Sequence, residues 1–388
     1  MLITTLTVIS VALGLGLAII VLLMSHQTES VLDSETGRWD LVIGAKGSPL
    51  QLVLNSLYYM DLPNGNINKD LWAQLQKNPA VDRVVPLTMG DSYFGSPIVG
   101  TTPDFFAGRK AANGGPILAA GNLWTKPLQA VVGADVAAHS NSLRLGKTFF
   151  GSHGWTKSLI KDTGFTYTVV GVLAPTGTSL DRAIYCDYTT IWVIHKDEPV
   201  LAWHNAMDEL TSLLVSLKQP SARFGLERMI NLTDREIAAS PADEIQKLDA
   251  TFIAPLRGLL LLVAYLVVLV SVLSILISLY LTIHQRRRDL AILRSLGATR
   301  GDIFRLITVE AALLSGLGVI VGWLFGHGLT AALAPMVFTH YGIALHPMQL
   351  IHGELTVGIT VWLLGIAAGL LPAFNAYRLR VAESLMEE

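Results

Sequence analysis

Four apolar stretches, each long enough to cross a bilayer as a helix, constrain this chain more than any other feature. A hydrocarbon core of about 30 Å takes about 20 apolar helical residues. The stretches fall at 1–25, 255–284, 306–333 and 355–377. Residues 26–254, between the first two, have an ordinary soluble composition. The expected fold class is therefore an α-helical membrane protein with four transmembrane helices and one large mixed α/β domain between helices one and two. Two loops, 285–305 and 334–354, and a tail, 378–388, complete the expected plan. Composition agrees: 51% of the 388 residues are hydrophobic and 15% are charged, where soluble domains run near 25% charged. With 28 Lys+Arg against 30 Asp+Glu, no basic field recruits nucleic acid. The single cysteine, Cys186, excludes an internal disulfide framework and a Cys-rich metal site.

Orientation follows from the short loops, because long domains translocate largely regardless of charge. The 285–305 loop carries Arg286, Arg287, Arg288, Arg294, Arg300 and Arg305, the 334–354 loop carries no Lys or Arg, and the tail opens with Arg378 and Arg380. The Arg-rich loop and the C-terminus are expected in the cytoplasm. The large domain is then outside, in the periplasm if the membrane is a bacterial inner membrane. Stretch 1–25 lacks the basic n-region of a cleaved signal peptide and exceeds a typical h-region, so it reads as a membrane helix. Its missing basic flank suggests a short Arg/Lys-rich leader ahead of Met1.

Within the large domain, β-type runs at 39–43, 81–87, 96–99, 130–132, 167–173, 183–188 and 213–217 alternate with turn signals. Helical periodicity appears at 69–76 and 222–232, and the order of runs suggests two lobes. The apolar run 50–57 leading to Tyr58-Tyr59 reads either as core or as an exposed surface that meets a partner or lipid. Catalytic signals are lacking. Gly146-Lys147-Thr148 imitates the end of a phosphate-binding loop, but the required earlier glycine is Asn141, so a turn into a strand is expected. Residues 154–164 read as a solvated loop. His340, His346 and His352 recur every six residues, which puts successive rings on different helix faces and makes them polar groups near the membrane surface rather than metal ligands. No metal, cofactor or catalytic residue is expected in this chain.

The most informative segment is 286–300. Leu290, Leu293 and Leu296 lie three apart, and Ile292 and Leu296 lie four apart. That spacing makes a short amphipathic helix with cations on its other face. Gly297 is placed as a helix C-cap, and Thr299 can cap the helix that follows. A positive-inside anchor needs only cations; this apolar seam and terminating glycine suit a docking helix. The pattern Arg286, Asp289, Leu290, Arg294, Gly297, Ala298, then Glu310 and Ala311, resembles that of the MacB/FtsX (type VII, mechanotransmission) permeases of ABC transporters. Asp289 stands where that family has Glu. The runs 99–106, 131–137, 145–147 and 169–173 resemble its periplasmic core domain in order. Pro372-Ala373 and Ala382-Glu383-Ser384-Leu385 resemble its closing motifs, with Val381 where Pro is usual.

The resemblance implies a stand-alone permease subunit without a fused ATPase. ATP and Mg would be bound by a separate ABC ATPase partner. Coupling to it would fall to Arg288, Asp289, Ile292, Leu293, Arg294, Leu296, Gly297 and Ala298. Further implied partners are a second permease copy or homologue, membrane lipid, and a periplasmic adaptor, lipoprotein or binding protein. The substrate class implied is a small molecule, peptide or lipoprotein of the envelope. A membrane-anchored signalling or scaffold protein with a periplasmic sensor domain is the alternative. Helix packing is expected through Gly318, Gly322 and Gly326 on helix three and Gly365 and Gly369 on helix four, because small residues four apart let membrane helices approach closely. Glu310 is the one acid well inside an apolar stretch, an intramembrane candidate site by default; pairing with Arg305 or a loop arginine is the structural expectation for it.

Overall fold

The computed structural model describes residues 2–140, 142–153, 165–194, 209–341 and 345–377. The chain divides into two compact units: Met1–Thr28 with Phe252–Thr339 and Leu345–Glu388, and Glu29–Thr251 with His340–Ala344. Among the described residues, four helices are long and apolar enough to span a membrane. The expected fold class, four such helices with a large mixed α/β domain between the first two in sequence, is what the structure shows.

Helix α1 runs unbroken from Leu2 to Thr36, well past the apolar stretch. Hydropathy marks only its apolar part. The polar extension remains helical and buries Gln27, Leu32 and Glu35. In the helical unit, Leu15, Ile19 and Leu23 of α1 are fully buried, and their four-residue spacing places them on one face.

The α/β unit holds helices α2 (Pro49–Tyr58), α3 (Asp70–Gln76), α4 (Ala134–His139), α5 (Thr189–Ile194), α6 (Arg223–Asn231) and α7 (Pro241–Leu248). Its main strands are β1 (Leu41–Ala45), β2 (Val81–Tyr93), β3 (Ser96–Thr101), β4 (Leu118–Gly121), β5 (Gln129–Val132), β6 (Tyr167–Leu173), β7 (Ile184–Asp187), β8 (Ser212–Leu217) and β9 (Glu236–Ala239). They form one sheet in the order β9–β1–β8–β2–β3–β7–β5–β6–β4. The β3–β7 and β5–β6 pairs are parallel. Alternate residues of β6 are buried, the period of a strand with one covered face.

The two expected lobes share this single sheet. Long β2 pairs with β8 along its first half and with β3 along its second, and its register with β3 shifts between Met89 and Asp91. One core gathers Leu41, Ile43, Leu213 and Val215 with Leu226 and Ile230 of α6. The other gathers Ile98, Val132, Tyr167, Ile184 and Cys186. The run at 50–57 lies in helix α2, whose N-cap Ser48 accepts from the Gln51 amide and whose first residue is Pro49. Tyr58 and Tyr59 are buried, so the core reading of that run holds.

A π-helical turn, Asp249–Ile253, joins α7 to α8 (Ala254–Gln285), so the second apolar helix has a polar, capped beginning ahead of the hydrophobic run. There follow α9 (Arg287–Ser295), α10 (Arg300–Tyr341) and α11 (His352–Tyr377). Helix α10 continues through Pro335 to Tyr341, eight residues beyond the apolar stretch that ends at 333.

Candidate functional site

Helix α9 has two apolar faces of different fate. Leu290 and Ala291 are buried, and Leu290 packs with Ile303, Ile307 and Ala373. Leu290 thereby leaves the three-leucine seam and serves the fold. Ile292 and Leu293 are each 44% exposed and Leu296 is 80% exposed. Arg288 and Asp289 are exposed beside them, and Arg294 is half-buried. The helix ends in a Schellman turn. Gly297 has φ +106°, its amide donates to the Arg294 carbonyl at 3.2 Å, and the Ala298 amide donates to the Leu293 carbonyl at 3.1 Å. A glycine takes this left-handed position without Cβ strain. The next residue caps α10 reciprocally. The Asp302 amide donates to Thr299 Oγ1 at 3.2 Å, and the Thr299 amide donates to Asp302 Oδ2 at 2.9 Å, a capping box with Asp in the acidic position. Two caps within six residues fix the angle at which α9 leaves α10.

Glycines set the helix packing. A Cβ on Gly318 would lie 2.6 Å from Val11, one on Gly322 2.8 Å from the Ala12 carbonyl oxygen, and one on Gly326 2.9 Å from Ile19. All three face α1. On α11, a Cβ on Gly365 would lie 2.3 Å from Ser315, and one on Gly369 2.3 Å from Ala311, both on α10. Sequence reasoning overlooked the matching glycines of α1: Gly14 meets Val267 and Val268 of α8, and Gly16 meets Phe325 of α10.

Glu310 departs from the expectation. Among the described residues it has no ion-pair or hydrogen-bond partner, Arg305 included. Five residues along an α-helix turn through about 140°, so Arg305 and Glu310 point to different faces. Among the described residues of the helical unit, the acid that meets a histidine is Glu354, at the start of α11. Its Oε2 lies 3.0 Å from His327 Nε2 and accepts from Trp323 Nε1 at 3.2 Å, and its Oε1 accepts from the Ile351 amide at 3.3 Å. His327 donates from Nδ1 to the Pro347 carbonyl oxygen. His327 is 6% and Glu354 4% exposed. The available signal was His327 itself, a titratable group inside an apolar stretch.

In the α/β unit, two ion pairs grip the ends of the long helices. Glu35, near the end of α1, accepts a fork from Arg109: Nη1 to Oε1 at 2.7 Å and Nη2 to Oε2 at 2.9 Å. The side chains are 3% and 5% exposed. Arg109 Nε donates to the Phe105 carbonyl at 3.0 Å, and the guanidinium lies 4.5 Å from the Phe105 ring centre. Burial lowers the Arg109 pKa, but the charge of Glu35 and its hydrogen bonds outweigh that, and the net direction is upward. Tyr58 donates to the Leu32 carbonyl of the same helix at 2.6 Å. At the start of α7, Arg223 reaches Ser240 Oγ at 2.5 Å and Asp243 at 3.1 Å, while Ser240 caps the helix.

Other candidates resolve simply. Gly146, with φ +80°, turns the chain into the short strand Thr148–Phe149; Asn141 and residues 154–164 lie outside the described residues. His346 exchanges both backbone-level hydrogen bonds with the Gln27 side chain at 2.9 Å, His352 opens α11, and the His340 side chain lies outside those described. No group of three His, Cys, Asp or Glu among the described residues could hold a metal. The tail residues Arg378, Arg380 and 381–385 also lie outside the described residues.

Two protein families match this chain. The MacB-like periplasmic core domain matches residues 4–230 and the FtsX-like permease C-terminal matches residues 261–381. An uncharacterised ABC transporter permease of Methanocaldococcus jannaschii is 28% identical over 157 residues, 40% of this chain and 39% of the relative. The permease YknZ of Bacillus subtilis, also described as uncharacterised, is 29% identical over 166 residues, 42% of this chain and 38% of the relative. The macrolide export ATP-binding/permease protein MacB of Shewanella oneidensis is 22% identical over 321 residues, 80% of this chain and 46% of the relative. In each case the chain covers less than half of the relative's length. The crystal structure of the periplasmic region of MacB from Actinobacillus actinomycetemcomitans aligns with a TM-score of 0.35 at 16% identity, over 54% of this chain and 92% of that one.

Proposed function

This chain belongs to the family of ABC transporter permeases with a MacB-like periplasmic core domain and an FtsX-like C-terminal region, and from that premise we propose that it is a permease subunit driven by a separate ATPase. The carrying observation is the exposed apolar face of α9. Ile292, Leu293 and Leu296 lie between two candidate spans, which end at Gln285 and resume at Arg300. A cluster of exposed leucines on a rigidly capped helix, flanked by arginines, is suited to burial in a protein groove. ATP and Mg would be held by the partner, whose closure would displace α9 and the helix ends beside it.

The Arg-rich segment puts α9 on the cytoplasmic side by the positive-inside rule. The α/β domain is then periplasmic, in a bacterial inner membrane. Helix α1 contributes to both compact units, as does the continuous helical stretch Pro241–Gln285. The Glu35–Arg109 and Arg223–Asp243 pairs would transmit displacement of these helices to the domain instead of letting it slip. The work done there would move or extract an envelope substrate: a small molecule, a peptide or a lipoprotein. The permease would act as a pair, with a second copy or a homologue, and in concert with a periplasmic adaptor or binding protein.

The test is the double variant Leu293→Ala, Leu296→Ala, purified with the ATPase subunit. Truncating well-packed interface leucines costs a few kcal/mol, and about 1.4 kcal/mol is tenfold in affinity. Loss of copurification, or ATP turnover that no longer responds to the permease, is the expected result. Unchanged assembly and turnover would reduce α9 to a positive-inside anchor.

A further inference from the structure

Helices α10 and α11, with Leu15 of α1 as a floor, enclose a cleft of about 670 Å³. Its walls are chiefly Val319 and Trp323 on one side and Leu355, Ile359 and Trp362 on the other. Glycines open it. A Cβ on Gly358 would touch Val319 at 3.6 Å, and one on Gly316 would lie 3.4 Å from Trp362 Nε1. That Nε1 donates to the Ala312 carbonyl at 3.0 Å, which closes the cleft at this end. The ionisable lining groups, His352 and Glu354, stand at the opposite end, and the Glu354 carboxylate is already engaged by Trp323 and His327. No uncompensated acid therefore faces the cavity.

The geometry points to a binding site for one acyl chain of a bilayer phospholipid, with the chain lying toward Gly316 and the headgroup at the His352 end. The volume falls within the range of about 300–1,000 Å³ typical of small-molecule sites. The lining offers water almost nothing to bond to, and an empty apolar void forfeits the dispersion contacts of its walls. The mouth is continuous with the lipid-facing surface of α10 and α11, where Ile320 is 59% and Leu355 71% exposed, so hydrocarbon is the medium at hand. A helix of a second permease is too wide. It needs about 10–12 Å, whereas between Gly316 and Trp362 the cleft has room for little more than one methyl group, since a Cβ on Gly316 would already lie 3.4 Å from Trp362 Nε1.

The experiment uses the full chain in vesicles of phosphatidylethanolamine and phosphatidylglycerol containing a small fraction of phospholipid with a diazirine in its acyl chain. After irradiation, adducts are mapped by mass spectrometry. Adducts at Trp323, Ile359 and Trp362 are expected to exceed, several-fold, those at Leu363 and Leu371, which are exposed on the same α11. Gly358→Leu, which fills the cleft, is expected to abolish that excess and leave Leu371 labelled as before. Equal labelling along α11 in the parent overturns the proposal whether or not the variant folds. So does an excess that survives Gly358→Leu in a folded protein. A disulfide joining two copies through Ile359→Cys assigns the cleft to a second permease and overturns it as well.

Discussion

The grip of the α/β domain on α1 makes a quantitative prediction. Glu35 and Arg109 form a two-pronged ion pair with both side chains almost fully buried. Replacing one member leaves the other charge buried without a partner, which costs about 3–5 kcal/mol. For a unit of this size each kcal/mol moves the thermal midpoint by about 2–4 °C. Glu35→Leu or Arg109→Met alone is therefore expected to lower the midpoint by about 6–20 °C. Methionine preserves much of the stem that packs on Phe105. The double variant Glu35→Leu, Arg109→Met removes both charges together, and apolar replacement of a whole buried pair is often neutral. It should recover most of the loss. Trp39 and Trp124, both buried in this unit, report the transition by fluorescence in detergent. Losses that simply add in the double variant would mean that the two side chains are not coupled, and the account of how α1 is held would be wrong.

Three further outcomes follow from the structure. Gly322→Leu should insert normally in the membrane but destabilise the helical unit by about 1–3 kcal/mol or more, because a Cβ there already meets the Ala12 backbone at 2.8 Å; a parent-like midpoint in thermal unfolding would contradict the packing. Cys186 is fully buried, and burial pushes its thiol pKa up, so a thiol reagent should leave it untouched in the native protein and react only after denaturation; prompt native labelling is the opposing result. A cysteine at exposed Asn113 should react with a membrane-impermeant thiol reagent in intact spheroplasts while one at exposed Thr299 stays protected, and the reverse pattern would invert the topology.

The parts of this molecule that could be read in the sequence are those whose causes are local. A membrane helix announces itself by an unbroken apolar run, and a β-strand by alternation such as that of 167–173. The end of α9 could be placed because Gly297 and the Thr299–Asp302 box act within a few residues of themselves. Contacts made only by the fold were hidden. Glu35 and Arg109 are 74 residues apart, and no periodicity joins them. Hydropathy ended α1 at residue 25 because Gln27 and Glu35 are polar, although both are buried. Glu310 drew attention as the intramembrane acid, while Glu354, which looks like a loop residue beside an apolar run, is the acid that finds a histidine. Leu290 and Leu293 carry the same pattern in sequence, and only packing against Ile303 and Ile307 separates the buried one from the exposed one.

That separation supplies the most direct test of the proposed coupling. A photoreactive amino acid is introduced at Leu296 or Leu293 and, as a control, at Leu290, in cells that express the partner ATPase. Irradiation from the exposed positions is expected to yield a permease–ATPase adduct, and irradiation from Leu290 to yield none. If positions 293 and 296 give no ATPase adduct in a complex that copurifies intact, α9 is not the docking helix and the central claim fails.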